Sequence, residues 1–463
     1  MLTPFERKLL PWLAAVGFFM QALDATILNT ALPAMAASLG ESPLRMQSVI
    51  IAYVLTVALL IPASGWLADR FGTRRIYLLA ILLFTLGSLA CAVAPSLPLL
   101  VAARVLQGIG GALLVPVGRL AVLRIFQGRE LLRAMSFVTI PGLVGPLIGP
   151  ALGGWLVEVA SWHWVFLINL PVGLLGLLVC GRFMPDLYQP TSGFDWKGFA
   201  LFSLGLVLAS LGLQGMGERS FSVGISLLML LAGLAAMAGY WLYAARATRP
   251  LFSLSLFHSS TFAIGILGNL FARLGSGAMP FLTPLFLQLG LGFSPSVAGM
   301  TMIPTVLGAM LTKTLVNRLI PMLGYRRILI GNTLLLGGMM SGFAFIDAGL
   351  PYWALLCWLG LFGAFNSLQF SAMNTLTLKD LGPEQASGGN SLLSVVMQLA
   401  MSMGIAIAAS LLNLFHGEQE TWLPTFHITY VAVGVMSMLA ALIFAQLGQE
   451  ECEPTPRRDG SAP

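Results

Sequence analysis

Residues 65–76 read GWLADRFGTRRI and separate two long apolar runs of the sequence. The segment combines two glycines, which permit a tight turn, with three arginines and one aspartate. Of the 463 residues in the chain, only 9% are charged and 57% are hydrophobic, whereas a soluble domain carries about 25% charged residues. We therefore interpret the segment as a short polar loop between two membrane spans.

Fourteen apolar runs of the sequence are long enough to cross a membrane, because a spanning helix needs about 20 apolar residues. Backbone polar groups in lipid must bond within their own segment, so each run predicts an α-helix. The predicted spans cover residues 11–34, 46–68, 76–95, 98–118, 134–157, 163–183, 196–215, 222–245, 262–289, 297–316, 326–346, 351–377, 387–412 and 425–447. The sequence therefore predicts an all-α polytopic membrane protein.

The distribution of basic residues predicts the orientation of these spans. Of the 24 lysines and arginines, all but Arg45, Arg219, Arg104 and Arg273 fall in loops or termini on the side that holds both chain ends. Cytoplasmic loops carry such an excess of positive charge, so both termini are expected in the cytoplasm. The net charge of +6 is then a sign of topology, and we expect no nucleic-acid partner.

Several function classes are excluded or disfavoured by residues that the sequence lacks. No Gly-Lys pair occurs, so the chain has no phosphate-binding loop of the ATP-driven kind. No HExxH motif occurs, the four cysteines are scattered, and the four histidines fall at predicted span ends. We therefore expect no cofactor, no metal site and no enzymatic activity, although a channel, a lipid scramblase and a membrane-embedded enzyme stay open as alternatives.

Besides the charges assigned to the cytoplasmic loops and span ends, three charged residues fall within the predicted spans. Asp24 is the only acid placed deep in one, Arg104 lies nearer the outer end of the fourth span, and Arg273 lies within the ninth. Ionisable groups in a membrane are costly and are functional candidates by default. The alternatives are a carboxylate held permanently by neighbouring helices at Asp24, a helix-packing clamp at Arg104, and an arginine that reaches the interface or caps carbonyls at Arg273.

Four further segments carry recognisable patterns. Residues 104–112 read RVLQGIGGA, residues 23–33 read LDATILNTALP, and residues 162–173 read WHWVFLINLPVG. Residues 142–156 read GLVGPLIGPALGGWL, in which glycines recur every three or four residues and so share one helix face. Two prolines in the last segment remove backbone donors and favour a kink.

Together with GWLADRFGTRR, these segments resemble the motifs of the major facilitator superfamily. The loop matches the motif between helices 2 and 3, and residues 104–112 match the helix-4 motif. The glycine-proline segment resembles the antiporter motif of helix 5, and residues 23–33 and 162–173 resemble motifs of the 14-helix drug:proton antiporters. The resemblance points to the EmrB/QacA-type family, which includes multidrug exporters of enteric bacteria.

The resemblance implies two six-helix halves, at residues 1–183 and 262–447. An extra helix pair with its linkers would occupy residues 184–261, and a cytoplasmic tail would follow at residues 448–463. The sequence itself repeats in one place, since GTRRI at residues 72–76 returns as GYRRI at residues 324–328. The second copy has Pro321 where Asp69 would align, so we expect a stronger salt bridge in the first half.

The function implied by the resemblance is proton-coupled export of drugs or other small amphipathic or anionic compounds by alternating access. Asp24 would carry the proton with Arg104 as its partner, and the proton gradient would supply the energy without a cofactor. The protein would be a multi-pass monomer among the lipids of the bacterial inner membrane. An importer or exporter of metabolites, organic acids or metal chelates is the alternative, and a periplasmic adaptor stays an open question.

The candidate site residues fall into two groups. The substrate cavity is expected to be lined by Gln21, Asp24, Asn29, Asn269, Arg273, Gln288, Gln369 and Gln398. The motifs expected to control conformational change contribute Gly65, Asp69, Arg70, Gly72, Arg74, Arg75, Gly145, Pro146, Gly149, Pro150 and Gly153, and the helix-5 glycines are expected to slide against the opposite half. One deep acid and two deep arginines suggest an anionic or zwitterionic substrate, with Arg273 as a bidentate carboxylate contact.

Overall fold

The computed structural model describes residues 4–190, 193–218, 222–416 and 421–448. Arg219, Cys452 and nearly all of the predicted tail lie outside these residues. Regular structure in the described part is entirely helical, and 14 of its helical segments are long and apolar enough to span a membrane, which confirms the predicted number. The helices are α1 Pro4–Ile27, α2 Leu32–Leu39, α3 Gln47–Phe71, α4 Thr73–Ala92, α5 Leu97–Ile125, α6 Gly128–Val159, α7 Trp164–Leu167, α8 Asn169–Phe183, α9 Trp196–Glu218, α10 Val223–Ala244, α11 Ser260–Ser276, α12 Met279–Leu285, α13 Pro295–Thr301, α14 Ile303–Gly342, α15 Tyr352–Leu378, α16 Pro383–His416, α17 Leu423–Leu439 and α18 Ala441–Phe444.

The helices form two halves and one additional pair. α1 to α8 pack among themselves, as do α11 to α18, and α9 pairs with α10. The halves meet where α3 contacts α16 and where α6 contacts α13, and α9 packs beside the first of these contacts. The architecture is that of two six-helix halves with two extra helices. The domain boundaries given above stay predictions.

The first helix of each half is interrupted, so the prediction of one unbroken helix over residues 11–34 is wrong. α1 ends at Ile27, a turn follows over residues 28–31, and α2 begins with Pro33 in its first turn. In the second half, α11 ends at Ser276, and α12 has Pro280 in its first turn. A proline donates no backbone hydrogen bond to the carbonyl four residues earlier and its ring clashes with that carbonyl. A proline therefore favours each interruption, although α6 continues through three prolines without one.

Asp24 and Arg273 occupy equivalent positions relative to these interruptions. Each lies three residues before the end of its helix, in the last turn of α1 and of α11. Discontinuous helices near the repeat interface are a recurring place for functional residues in transporters built from two halves. The fold thus places the two candidate charges at matching points of the two halves.

The prediction of a loop over residues 65–76 is wrong, because α3 continues to Phe71 and α4 begins at Thr73, with Gly72 alone between them. This tight turn and its helical flanks, which we call the 65–76 loop, fasten α3 and α4 to the segment that follows α8. Gly72 has φ +93°, and a Cβ at this position would collide with the carboxylate of Asp186. The Asp69 carboxylate forms a salt bridge with Arg124 on α5. Thr73 Oγ1 donates to the Pro185 carbonyl at 2.9 Å and accepts from the Leu187 N–H at 3.1 Å. The loop is thereby joined to two other segments of its own half.

The second copy of the loop motif is joined differently. Gly324 has φ +75° and lies at a bend inside α14, and the Arg326 guanidinium donates to the Ala445 carbonyl at 3.0 Å. Among the described residues, salt bridges occur at the first copy of the motif and not at the second. This agrees with the expectation of a stronger salt bridge in the first half.

Replacing Thr73 by valine is expected to destabilise the first half. Valine keeps the shape of the buried side chain but removes both hydrogen bonds, and buried groups left without partners cost about 1–3 kcal/mol. The apparent melting temperature of the purified protein in detergent should fall. Thr375→Val is the matched control, because the exposed Thr375 hydroxyl bonds only within its own helix. Equal melting temperatures for the two variants would contradict the role given to Thr73.

The glycine face of α6 packs against α1, so the expectation that it slides on the opposite half is wrong. A Cβ at Gly145, Gly149 or Gly153 would collide with backbone or side-chain atoms of residues 22–30. The hydroxyls of Thr26 and Thr30 on α1 or its following turn also lie within hydrogen-bonding distance of α6 carbonyls. Close approach of the two backbones explains why glycine occupies these positions. The glycine face therefore holds α1, and with it Asp24, firmly within the first half.

Candidate functional site

Asp24 lies at the centre of a buried polar network inside the first half. Its Oδ2 atom forms a salt bridge with Arg104 Nη1 at 2.7 Å, and both side chains are 1% exposed. Its Oδ1 atom accepts hydrogen bonds from Gln107 Nε2 at 2.8 Å and from Asn169 Nδ2 at 3.3 Å. Ser88 accepts a second hydrogen bond from Asn169 at 3.0 Å. We call these five residues the Asp24 network.

Arg104 has partners besides the carboxylate. Its Nη1 atom donates to Gln107 Oε1 at 2.7 Å, and its Nε atom donates to the Val49 carbonyl at 3.2 Å. The guanidinium carbon lies 4.3 Å from the centroid of the Tyr53 ring, a distance at which a cation is stabilised by the ring face. The arginine therefore keeps two acceptors and an aromatic face if the carboxylate becomes neutral.

Two of the cavities between the halves contain predicted site residues. The larger has a volume of about 690 Å³ and is lined by parts of α1, α3, α5 and α16 on the side of the 65–76 loop. The smaller has a volume of about 330 Å³ and is lined by parts of α1, α6, α11, α12, α14 and α15. The larger cavity carries amide, hydroxyl and charged side chains, whereas the smaller is lined mainly by apolar ones.

On the opposite side of the protein the halves are in direct contact. A Cβ at Gly154 would collide with the Pro295 carbonyl, and one at Gly299 would collide with the Pro150 carbonyl. The Glu158 carboxylate accepts a hydrogen bond from the Ser296 N–H at 3.0 Å. The structure is thus closed at this side and has its larger cavity at the side of the 65–76 loop.

The predicted cavity residues are divided by the structure. Gln21 and Gln398 line the larger cavity, and Asn29 lines the smaller one. Gln288 donates to the Thr30 carbonyl at 3.0 Å and joins the two halves. Gln369 is buried within the second half, where it bonds Thr333.

Asp24 and Arg273 line neither of the two cavities, which corrects the expectation that both face them. Asp24 is enclosed by α1, α4, α5 and α8, because its three hydrogen-bond donors come from helices of its own half. Arg273 turns towards α15, with its guanidinium carbon 4.3 Å from the centroid of Phe370. Its Nε atom donates to Asn269 Oδ1 at 3.0 Å, and Asn269 is itself buried against Thr377.

The motif residues show a similar division. Gly65 and Asp69 line the larger cavity, Arg70 lies 6.0 Å from the Trp66 ring, and Arg75 lies 4.0 Å from Asp186. Pro146 and Pro150 line the smaller cavity. Arg74 is the second residue of α4 and is partly exposed. Some motif residues therefore line the two cavities, and others make contacts within the 65–76 loop or with Asp186.

Two cavity residues were missed from the sequence. Arg119 lines the larger cavity and Lys313 lines the smaller one, although both were interpreted as loop charges that report topology. α5 continues to Ile125 rather than ending near residue 118, so Arg119 lies inside the helix. The apolar residues between Arg119 and Arg124 were the signal in the sequence, because they allow the helix to continue over residues 116–125.

The described part of the chain contains no group of three or more His, Cys, Asp or Glu side chains that could hold a metal ion. Its polar centre consists instead of one carboxylate, one guanidinium and neutral amides. Such a set can bind and release a proton and can change its hydrogen bonds when it does so. It offers no nucleophile activated by a neighbouring base.

Comparisons with known proteins agree with this architecture. The profile of the Major Facilitator Superfamily matches residues 14–281. Proteins named "Putative multidrug resistance protein MdtD" from Pectobacterium atrosepticum and Klebsiella pneumoniae are each 52% identical to the chain over 94% of both sequences. A solved POT family transporter in complex with 5-aminolevulinic acid has a TM-score of 0.70 and 16% identity, and the match covers 94% of each chain. At that identity the likeness shows the fold alone.

Fourteen spanning helices in two halves around central cavities define a membrane transporter. The chain belongs to the Major Facilitator Superfamily, since the family profile covers more than half of it and relatives match over almost its whole length. It is accordingly a transporter of small molecules and not an enzyme.

Proposed function

We propose that this transporter couples the export of amphipathic small molecules to the entry of protons, with Asp24 as the proton carrier. The observation that carries the proposal is the buried pair of Asp24 and Arg104 in the interrupted first helix. An ionisable pair at this depth is costly and is retained where it serves a function. The names of the 52%-identical relatives support the substrate class of drugs and similar compounds.

The orientation that we propose places both termini and the 65–76 loop in the cytoplasm of a bacterial cell, within its inner membrane. The positive residues of the loops support this orientation. The larger cavity would then open towards the cytoplasm, and the contacts between α6 and α13 would close the periplasmic side. Substrate would enter the cavity in this arrangement and leave after the halves rock to the opposite one.

Protonation would act through the Asp24 network. A proton on Asp24 removes the charge that holds Arg104 Nη1, and the guanidinium then keeps its bonds to Gln107 and Val49. Gln21 lies one turn from Asp24 on α1 and lines the larger cavity, so a shift of α1 reaches the substrate site directly. Because Asp24 is closed to both cavities here, proton exchange belongs to another arrangement of the halves.

The test uses inside-out membrane vesicles with an acidic lumen and a panel of labelled anionic, neutral and cationic amphipathic compounds. The wild type should accumulate members of the panel, and Asp24→Asn should lose this accumulation because no carboxylate remains to carry the proton. Exchange of labelled for unlabelled substrate at equal pH should persist in Asp24→Asn, since the cavities are unchanged.

Asp347→Asn is the control, because Asp347 is an exposed loop acid that bonds the Gly349 N–H. Accumulation that persists in Asp24→Asn would refute the role of Asp24. Transport only in the opposite direction would identify an importer, and flux that does not saturate would identify a channel or scramblase.

A further inference from the structure

We propose that Arg119, in the larger cavity, binds a carboxylate of the transported compound, with Gln21 of α1 beside it. The inference rests on the proposed function in taking the larger cavity as the substrate site. It goes beyond that function by assigning the binding residue and the charge of the substrate, and it transfers the role expected of Arg273 to another residue.

Among the described residues, Arg119 is a cation without an anionic partner. Its Nε atom is buried and has no hydrogen-bond partner there, and its guanidinium carbon lies 5.5 Å from the centroid of the Phe18 ring. Neighbouring arginines of the same helix are paired, since Arg104 binds Asp24 and Arg124 binds Asp69. Arg119 is partly exposed, and a partly desolvated charge without a partner is costly, so the cavity favours a ligand that supplies the missing negative charge.

The charges around the cavities select the same kind of ligand. Among the described residues that line the larger cavity, the charged ones are Asp69 and Arg119, and Asp69 is already neutralised by Arg124. Lys313 is the charged residue at the lining of the smaller cavity. Asp24, the acid that could attract a cation, faces neither cavity. A lipophilic cation would therefore meet a positive charge in either cavity, with no free acid among these linings.

Neutral polar groups complete the site. Gln21 Oε1 is buried without a partner among the described residues, so it can accept a hydrogen bond from a donor group elsewhere on the ligand. Asn390, Ser394 and Gln398 line the cavity from the second half. A guanidinium can bind both oxygens of a carboxylate at once, while amides and hydroxyls from the second half contact the rest of the molecule. The ligand would thus touch both halves, as a substrate in an alternating-access transporter must.

Arg119 is separate from the proton carrier. It lies fifteen residues beyond Arg104 on α5, a distance of about 22 Å along a helix that rises 1.5 Å per residue. Asp24 is bound to Arg104 and lines neither cavity, so a ligand on Arg119 does not contact the proton carrier. Removing the Arg119 charge should therefore change substrate preference and leave proton coupling intact.

The test compares two compounds of the same amphipathic scaffold, a carboxylic acid and its primary amide, in the inside-out vesicles. The wild type should prefer the acid. Arg119→Gln should raise the apparent KM for the acid by about tenfold or more, the effect of losing one charge-assisted bond, and leave the KM for the amide unchanged. Arg119→Lys should retain part of the preference, because lysine keeps the charge but not the bidentate geometry.

Direct binding of the acid and the amide to purified wild type and to Arg119→Gln separates this inference from the proposed function. If no compound accumulates under the pH gradient but the wild type binds the acid and Arg119→Gln does not, proton-coupled export fails while the assignment of Arg119 stands. Equal loss of acid and amide, with a lowered melting temperature, would show that Arg119 only packs the cavity wall. A wild type without preference between acid and amide would overturn the inference too.

Discussion

Arg104→Gln is expected to cost more stability than any other single neutralisation in the first half. The substitution leaves the Asp24 carboxylate in a site that is 1% exposed, with two neutral amides as its partners. Breaking a buried pair by removing one member costs about 3–5 kcal/mol, because the remaining charge is uncompensated. The folded yield in detergent and the free energy of unfolding should both fall steeply at neutral pH.

The opposite substitution, Asp24→Asn, should cost less. Its amide keeps acceptor and donor groups near Gln107 and Asn169, and Arg104 retains the Val49 carbonyl, Gln107 Oε1 and the Tyr53 ring. The cation therefore has other partners in the network, whereas the carboxylate has no second cation within salt-bridge distance among the described residues. This asymmetry is what allows Asp24 to become neutral during transport while Arg104 stays charged.

The double variant Asp24→Asn with Arg104→Gln completes the comparison. With both charges gone, the unfolding free energy should recover relative to Arg104→Gln alone, because no unpaired charge is left in the site. Transport driven by the pH gradient should stay absent. A double variant as unstable as Arg104→Gln would contradict an electrostatic origin and point to lost packing of the long arginine side chain.

The number of spans and their helical character followed from the sequence because membrane insertion imposes length and apolarity on each segment. The ends of the helices did not follow, since helices continue beyond the lipid and their polar ends resemble loops. Arg119 shows the consequence, as a residue assigned to a loop lies in a cavity wall. The interruptions before Pro33 and Pro280 were equally readable in principle, since proline disrupts a helix at a fixed offset.

The site was harder to predict than the fold. That Asp24 and Arg104 act together came from the resemblance and not from spacing, because the partners lie on different helices. Whether a polar side chain faces a cavity depends on the rotation of its helix about its own axis. This rotation cannot be read from the sequence when polar residues occur on several faces of the helix. Asn269 and Gln369 illustrate this, since both are buried against neighbours of the second half.

Alanine substitutions at the neighbouring residues Gly153 and Gly154 should have different effects. The first should lower the folded yield, and the second should change the arrangement of the two halves. A Cβ at Gly153 collides with the Ile27 carbonyl of the same half, whereas a Cβ at Gly154 collides with the Pro295 carbonyl of the other half. Overpacking costs about 1–3 kcal/mol. In Gly153→Ala this cost falls on the folding of the first half, and the folded yield should drop.

In Gly154→Ala the cost falls on the contact between α6 and α13, so the arrangement closed at this side is disfavoured. Since 1.4 kcal/mol is a factor of ten in an equilibrium, the ratio of the arrangement with an open larger cavity to the alternative arrangement should fall by about tenfold, with each half still folded. Access to that cavity is measured by labelling a thiol introduced by Ser394→Cys. The background lacks Cys452 and also Cys357, which is exposed.

Gly224→Ala is the control, because a Cβ there meets nothing within 4 Å, and its labelling and yield should equal those of the wild type. If Gly154→Ala labelled like the wild type, the contact between α6 and α13 would not govern access to the cavity. Reduced labelling of Gly154→Ala together with a full folded yield would show that the surface of α6 that controls access begins one residue away from the glycine face that packs on α1. One face of α6 would then fix Asp24 in the first half, and the adjacent face would make and break contacts with the second half.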